Sequence, residues 1–455
     1  MKGRIFVEWP KRILSFMLTF ALLAAGGCTS NLSESGAKSS NPSEVKTLRI
    51  WGGVPPDAGP SRVVEEFNKQ YKDHGISVEY NYFVNNQAGN QRMETILLSG
   101  DKVDAYFTYT TSLLEKRSMS NMALDLTPYI NRDHINLRSY FGSSVNSYYV
   151  NGKPYSIPTK LDQYGITINK DKFEEAGIPI PKEWTYQEFR EIAKKLSKGT
   201  GKDRTYGMFF CSQQDITYPV TYILPRSLGG DALYKDGGRL TNFDNPTVHN
   251  MVSLINDMMN VDHSAPTHIE SVTQKLTQES MFLTGKCAMT IGPWIIRSVK
   301  DQKTYPHTFT TAFVPYPVEN KSVNNYSQGG LGDFISISPH SRYPDETWEF
   351  MKWYATKGMI YMVEGGRIPA YTGFDTQTVT SLLLKGSENL IDAETAKNVL
   401  ILPKSNYAIP SIHTNLSEIN EILSDEFEQI YTGQKSVNQG LADAKLRGDT
   451  ILKTE

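Results

Sequence analysis

Beyond residue 46 the chain alternates short apolar runs with stretches of helical periodicity. Thr47 to Trp51 reads as a strand ending at Gly52 and Gly53, and Arg62 to Tyr71 as a helix with Val63, Val64 and Phe67 on one face. A second strand over Ile76 to Phe83, a helix over Gln91 to Leu98 and a short buried strand over Val103 to Phe107 follow. This βαβαβ order predicts a parallel sheet covered by helices, with ligands at the carboxyl ends of the strands. Trp51 to Gly53 and Thr108 to Ser112 are two such ends.

A second alternating block begins near Tyr164, with a strand over Gly165 to Ile168. Thr185 to Glu188 has the form of a capping box, in which the Thr and Glu side chains satisfy backbone amides left unpaired at a helix start. Phe189, Ile192, Ala193 and Leu196 then mark the buried stripe of that helix. Tyr206 to Cys211, a helix from about Asp215, a long helix around Pro246 to Val261 and the segment Lys275 to Leu283 continue the block. Thr308 to Val314 and Asp333 to Ser338 read as later strands. Pro344, Asp345 and Glu346 suit a helical first turn, with Phe350, Met351 and Tyr354 on its buried side. The tail from Leu416 to Leu446 is predicted to be mostly helical.

The pattern ahead of this body is different. Lys2, Arg4, Lys11 and Arg12 precede a predominantly apolar run, Ile13 to Ala25, which Gly26, Gly27 and Cys28 close. That is the layout of a secretory signal peptide, and the run falls short of the roughly 20 residues a transmembrane helix needs. A cysteine directly after small residues resembles a bacterial lipobox, which implies cleavage after residue 27 and acylation (palmitate) of Cys28. A plain signal peptide with an incidental cysteine is the alternative. Thr29 to Lys46 holds six serines and no aromatic residue, as expected of a flexible tether. The expected location is extracytoplasmic, lipid-anchored to the cell membrane.

Composition narrows the function classes. Hydrophobic residues at 39% and charged residues at 21% describe an ordinary globular body, and the roughly 410 residues beyond the tether suit two domains better than one. The formal net charge of −2 becomes more negative once the basic leader is removed, so nucleic acid is not expected as a partner. Besides Cys28 there are two cysteines, Cys211 and Cys287, in apolar runs; buried free thiols are favoured over a disulfide, which the sequence leaves open. No spaced Cys/His set suggests a metal, and no cofactor is expected.

Three stretches carry a resemblance to a known family. The first is Asn151 to Thr159, followed by Ile168 to Phe173, Ala176, Gly177 and Trp184. The second is Phe282 to Met289 with Gly292, Pro293 and Trp294. The third joins Gly329, Gly330, Ile335 to Ser338, Trp348 to Phe350 and Ile368 to Ala370. In this order, and with Gly100 to Asp104, they resemble the carbohydrate-binding extracellular solute-binding proteins, family 1, of ABC importers, which include maltose-binding proteins. Two positions depart from the family's usual pattern: Cys287 replaces Ala, and Ile168 replaces Tyr. The resemblance implies an α/β fold of two lobes, periplasmic-binding-protein-like, with a ligand cleft between them. One lobe is expected over 47–158 plus 306–365 and the other over 159–305 plus 366–455. It further implies a monomer that closes on a sugar or oligosaccharide, delivers it to the transmembrane subunits of an ABC permease and is not an enzyme.

A sugar offers an apolar face and a rim of hydroxyls, so its site needs aromatic plates and paired polar groups. The family places a stacking ring at the position of Trp294 and an acidic contact at the position of Asp162, seven residues before Asn169. Tyr109 and Thr110 follow a strand end, where loops present side chains to ligands. Trp51 is equally suited to core or cleft, while Tyr218, Asp333, Arg367 and His413 are candidates that could equally be structural. Two alternatives stand beside this reading. A glycoside hydrolase would need two facing carboxylates, and no such motif is evident. The same fold could bind a non-sugar solute, but an anion would want clustered Arg or Lys, whereas the loops after the first strands are rich in Asn, Tyr, Thr and Gly.

Overall fold

The computed structural model describes residues 45–455 except 213–214, 293–294, 324, 403, 405, 412–414 and 454–455. The expected signal peptide, most of the tether with Cys28, and the candidates Trp294 and His413 therefore lie outside the described residues. The strands are β1 Lys46–Gly52, β2 Ile76–Tyr82, β3 Ala105–Thr108, β4 Ile157–Gln163, β5 Ile166–Asn169, β6 Tyr206–Phe209, β7 Tyr234–Lys235, β8 Leu240–Thr241, β9 Cys287–Ile291, β10 Thr311–Val314 and β11 Gly329–Ile337. They form two main sheets, each with its own hydrophobic core, and the fold is the two-lobe periplasmic-binding-protein architecture.

The first sheet has the order β2-β1-β3-β11-β4. Its β1, β2 and β3 are parallel, as the βαβαβ pattern predicts, with Leu48 opposite Val78 and Ile50 opposite Ala105. The strand β11 then runs antiparallel to both β3 and β4, so the sheet is mixed. Every residue of β3 is buried, because helices cover both of its faces. The helix Pro60–Gln70 packs Phe67 against Phe350 and Trp353 of the helix Pro344–Thr356, with ring centroids 5.1 Å apart in each case. Phe350, Met351 and Tyr354 are buried there as expected, and Trp348 and Trp353 join them.

The second sheet has the order β10-β5-β9-β6 and is also mixed. The capping box forms: the Glu188 amide donates to Thr185 Oγ1 at 3.2 Å, and the Thr185 amide donates to Glu188 Oε2 at 2.7 Å. Phe189, Ala193 and Leu196 of the helix it starts, Tyr186–Leu196, are buried in the second core. Met251, Ile255 and Met258 of the helix Pro246–Asn260 fill the same core. The tail helices Leu416–Tyr431 and Val437–Leu452 close it with Ile419, Leu423, Phe427 and Ala444. Cys211 and Cys287 are buried free thiols, and burial pushes the Cys211 thiol up to about 12.

Three segments run between the sheets. Residues 164–165 join β4 of the first sheet to β5 of the second, and 315–328 join β10 to β11. The third lies against β4, where the Leu161 amide donates to Ile368 O at 2.8 Å and the Ala370 amide to Thr159 O at 2.9 Å. Strand membership differs from the expected lobe limits at two places: β10 sits in the second sheet although 306–365 is expected in the first lobe, and β4 sits in the first sheet although the limit is expected at 159. The apolar run Thr311 to Val314 would suit either sheet; pairing with β5 decides between them. Gly329, at the end of the second crossing, has φ 143, and a Cβ there would lie 2.2 Å from Asp162 O, so close approach to β4 requires glycine.

Candidate functional site

A cavity of about 220 Å³ opens beside two of these crossings, the first at Tyr164 and the third at Arg367 and Ile368. One wall is the end of β1, with Gly53 and Pro55; the base is Lys160 to Tyr164; and Ile296 with Arg297 enters from the element after β9. Gly365, Gly366 and Arg367 complete it. Alternation along an extended chain places Lys160, Asp162 and Tyr164 on one side. Lys160 Nζ pairs with Asp162 Oδ1, and its ammonium lies 5.9 Å from the centre of the Tyr164 ring. Burial, and then the charge of Asp162, push the Tyr164 phenol well above its ordinary range, so it is neutral and can donate.

Behind this wall Arg367 Nε donates to Asp333 Oδ2 at 2.9 Å. The two side chains are only 20% and 10% exposed, so the pair is shielded from solvent. Burial opposes the guanidinium charge, and Asp333 outweighs that cost, holding the Arg367 pKa above its ordinary value. Asp333 takes a left-handed backbone conformation, φ 46, and its carbonyl accepts from Thr159 Oγ1 at 2.6 Å. Two tyrosines fix the adjoining turn. Tyr109 Oη accepts from the Gly53 amide at 2.6 Å, and Tyr80 Oη donates to Val54 O at 2.7 Å.

The structure thus brings Asp162 and Arg367 together in the cavity and sets Asp333 behind it, bonded to Arg367, and Tyr109 beside it, bonded to the Gly53 amide. Thr110 is exposed and caps the helix Thr111–Met119, accepting from the Leu113 amide at 3.3 Å. Trp51 does not line this cavity. It lies beside Phe83, Arg92 and Met93 in a separate groove of about 480 Å³ on the first sheet's body. Tyr218 starts the helix Tyr218–Ile223 and reaches the cavity through a relay of rings, 5.3 Å to Tyr222 and 5.1 Å from Tyr222 to Tyr164. Lys160, Tyr164, Tyr222 and Arg297 were not among the candidates from sequence. Alternation with Asp162 could have found the first two, whereas Arg297 required the fold. Among the described residues, no group of three or more His, Cys, Asp and Glu could hold a metal ion.

Residues 54–359 match the model of the bacterial extracellular solute-binding protein family. The chain belongs to that family. This solute-binding protein is 23% identical over 371 residues to a binding protein of Brucella abortus, covering 80% of this chain and 83% of that one. It is also 26% identical over 215 residues to lipoprotein LipO of Bacillus subtilis, covering 46% and 40% of the two chains. In three dimensions it is similar to an ABC substrate-binding protein of Listeria monocytogenes in complex with cycloalternan, with TM-score 0.74, 18% identity and 90% and 99% of the chains covered. The family is a non-enzymatic component of transport, so the glycoside hydrolase alternative falls away.

Proposed function

We propose that this solute-binding protein captures a sugar or oligosaccharide in the cavity between its lobes and delivers it to the transmembrane subunits of an ABC permease, as a monomer held to the membrane by acylated Cys28. The observation that carries the reading is the cavity itself, which is lined from the first sheet, from the helix that follows β9 of the second and from two of the segments that cross between them. Closure about those segments would enclose a ligand while leaving each sheet intact. The ring and neutral phenol of Tyr164 and the carboxylate of Asp162 are of the kind that a pyranose with its hydroxyl rim requires. The cycloalternan complex of the Listeria protein supports a saccharide, and the name of LipO supports the anchor. The first lobe is assigned to β1 to β4 with β11, the second to β5, β6, β9 and β10, and the hinge to the three crossings.

Calorimetry of the mature protein against a panel of neutral and acidic oligosaccharides tests the sugar reading. Binding is expected with the saccharide recovered intact and with X-ray scattering showing compaction; binding of a metal chelate or polyamine instead of every sugar would move the cargo to another solute class. The anchor has its own test. Cys28→Ser is expected to release the protein from the membrane fraction, and a variant that sediments with membranes like the wild type would exclude lipidation as the tether.

A further inference from the structure

We infer that the ligand is an acidic saccharide, whose carboxylate is gripped between Arg297 and Arg367. This rests on the sugar reading and specifies it. Lys160, Arg297 and Arg367 are far apart along the chain, so no cluster of cations is evident before folding; the fold brings all three to one cavity. Their charges are not equally matched. Lys160 is paired with Asp162, and Arg367 with Asp333. Arg297 is exposed at the cavity and has no carboxylate partner among the described residues. The assembled site therefore holds one cation more than it holds acids.

Arg367 is built for recognition as well as for balance. Among the described residues only its Nε is given to a protein acceptor, Asp333 Oδ2, so the two amino nitrogens of a guanidinium fixed from behind remain for a ligand. A planar carboxylate accepts two parallel hydrogen bonds from such a fork, which a hydroxyl does not. Closure removes water from the site, and an unmatched guanidinium then carries a desolvation cost that a neutral sugar leaves in place and a uronate offsets. Lys160 also matters here, because by neutralising Asp162 it keeps that carboxylate from repelling an anionic ligand. Ile296, Ile368 and Leu161 supply apolar surface for the ring.

The test is calorimetry on the mature protein with oligogalacturonates and glucuronate-bearing oligosaccharides, each against its own methyl ester, and with neutral maltotriose and mannotriose. The free acid is expected to bind at least about tenfold more tightly than its ester, with the difference shrinking as sodium chloride is raised. Arg297→Gln should bring acid and ester to about the same affinity while leaving the melting temperature unchanged. Equal binding of acid and ester, or a neutral trisaccharide bound as tightly as the uronates, would overturn the charge assignment and leave the sugar reading intact. An Arg297→Gln variant that weakens acid and ester alike would also overturn it. Failure of every saccharide, charged or neutral, would remove the sugar reading and this inference with it.

Discussion

Asp333→Asn is expected to destabilise the protein by about 3–5 kcal/mol, the cost of leaving one member of a buried ion pair without its partner. Asparagine tolerates the left-handed backbone that Asp333 adopts at φ 46, so the change removes charge with little backbone strain. What remains is an Arg367 guanidinium, 20% exposed, facing an amide that no longer balances it. Tyr80, Tyr109 and Tyr354 surround the pair, and burial raises the pKa of each of these phenols, so none can supply a compensating negative charge at neutral pH. Urea unfolding followed by tryptophan fluorescence reads the effect as a lowered midpoint. The double variant Asp333→Asn/Arg367→Met should recover most of the loss, because it removes the orphaned charge. A single variant within about 1 kcal/mol of wild type would mean that water reaches the pair and screens it.

The elements that were legible from the sequence are those whose signals are local. The strand pattern of β1, β2 and β3, the Thr185 capping box and the Pro344 start of its helix all rest on residues within a few positions of each other, and all form as read. The strand β4 gave no such signal. Its Lys160 and Asp162 are charged and it contains Pro158, so it reads as a loop, and only pairing with β11 makes it a strand. The placement of β10 in the second sheet likewise depends on a partner, β5, distant along the chain. Site residues follow the same division. Asp162 is marked by the family resemblance, but the partnership of Arg367 with Asp333 joins the third crossing to strand β11 and leaves no trace in either one. Trp51 illustrates the converse: it ends a strand as ligand-contacting residues often do, yet its side chain points to the groove beside Phe83 and Met93 rather than to the cavity.

Asp162→Ala is expected to weaken saccharide binding by about 2–4 kcal/mol, or roughly 30- to 1,000-fold, with little change in the thermal transition. The carboxylate lies on the cavity side of β4 in an ion pair with Lys160, while Tyr164 beside it stays protonated and able to donate. A ring hydroxyl entering between them could therefore donate to Asp162 and accept from Tyr164, fixing its orientation with two bonds of which one is charge-assisted. Alanine removes the acceptor, and the loss of that charge-assisted bond weakens the complex. Asparagine keeps an acceptor oxygen, and Asp162→Asn should cost only about 1–2 kcal/mol. Trp294→Ala, two residues before the cavity residue Ile296, is expected to act on the ring face instead, and the contrast separates stacking from hydrogen bonding. Calorimetry on the three purified variants decides the matter: if Asp162→Ala binds as wild type does, the acid serves only to neutralise Lys160 and the saccharide is oriented by other groups.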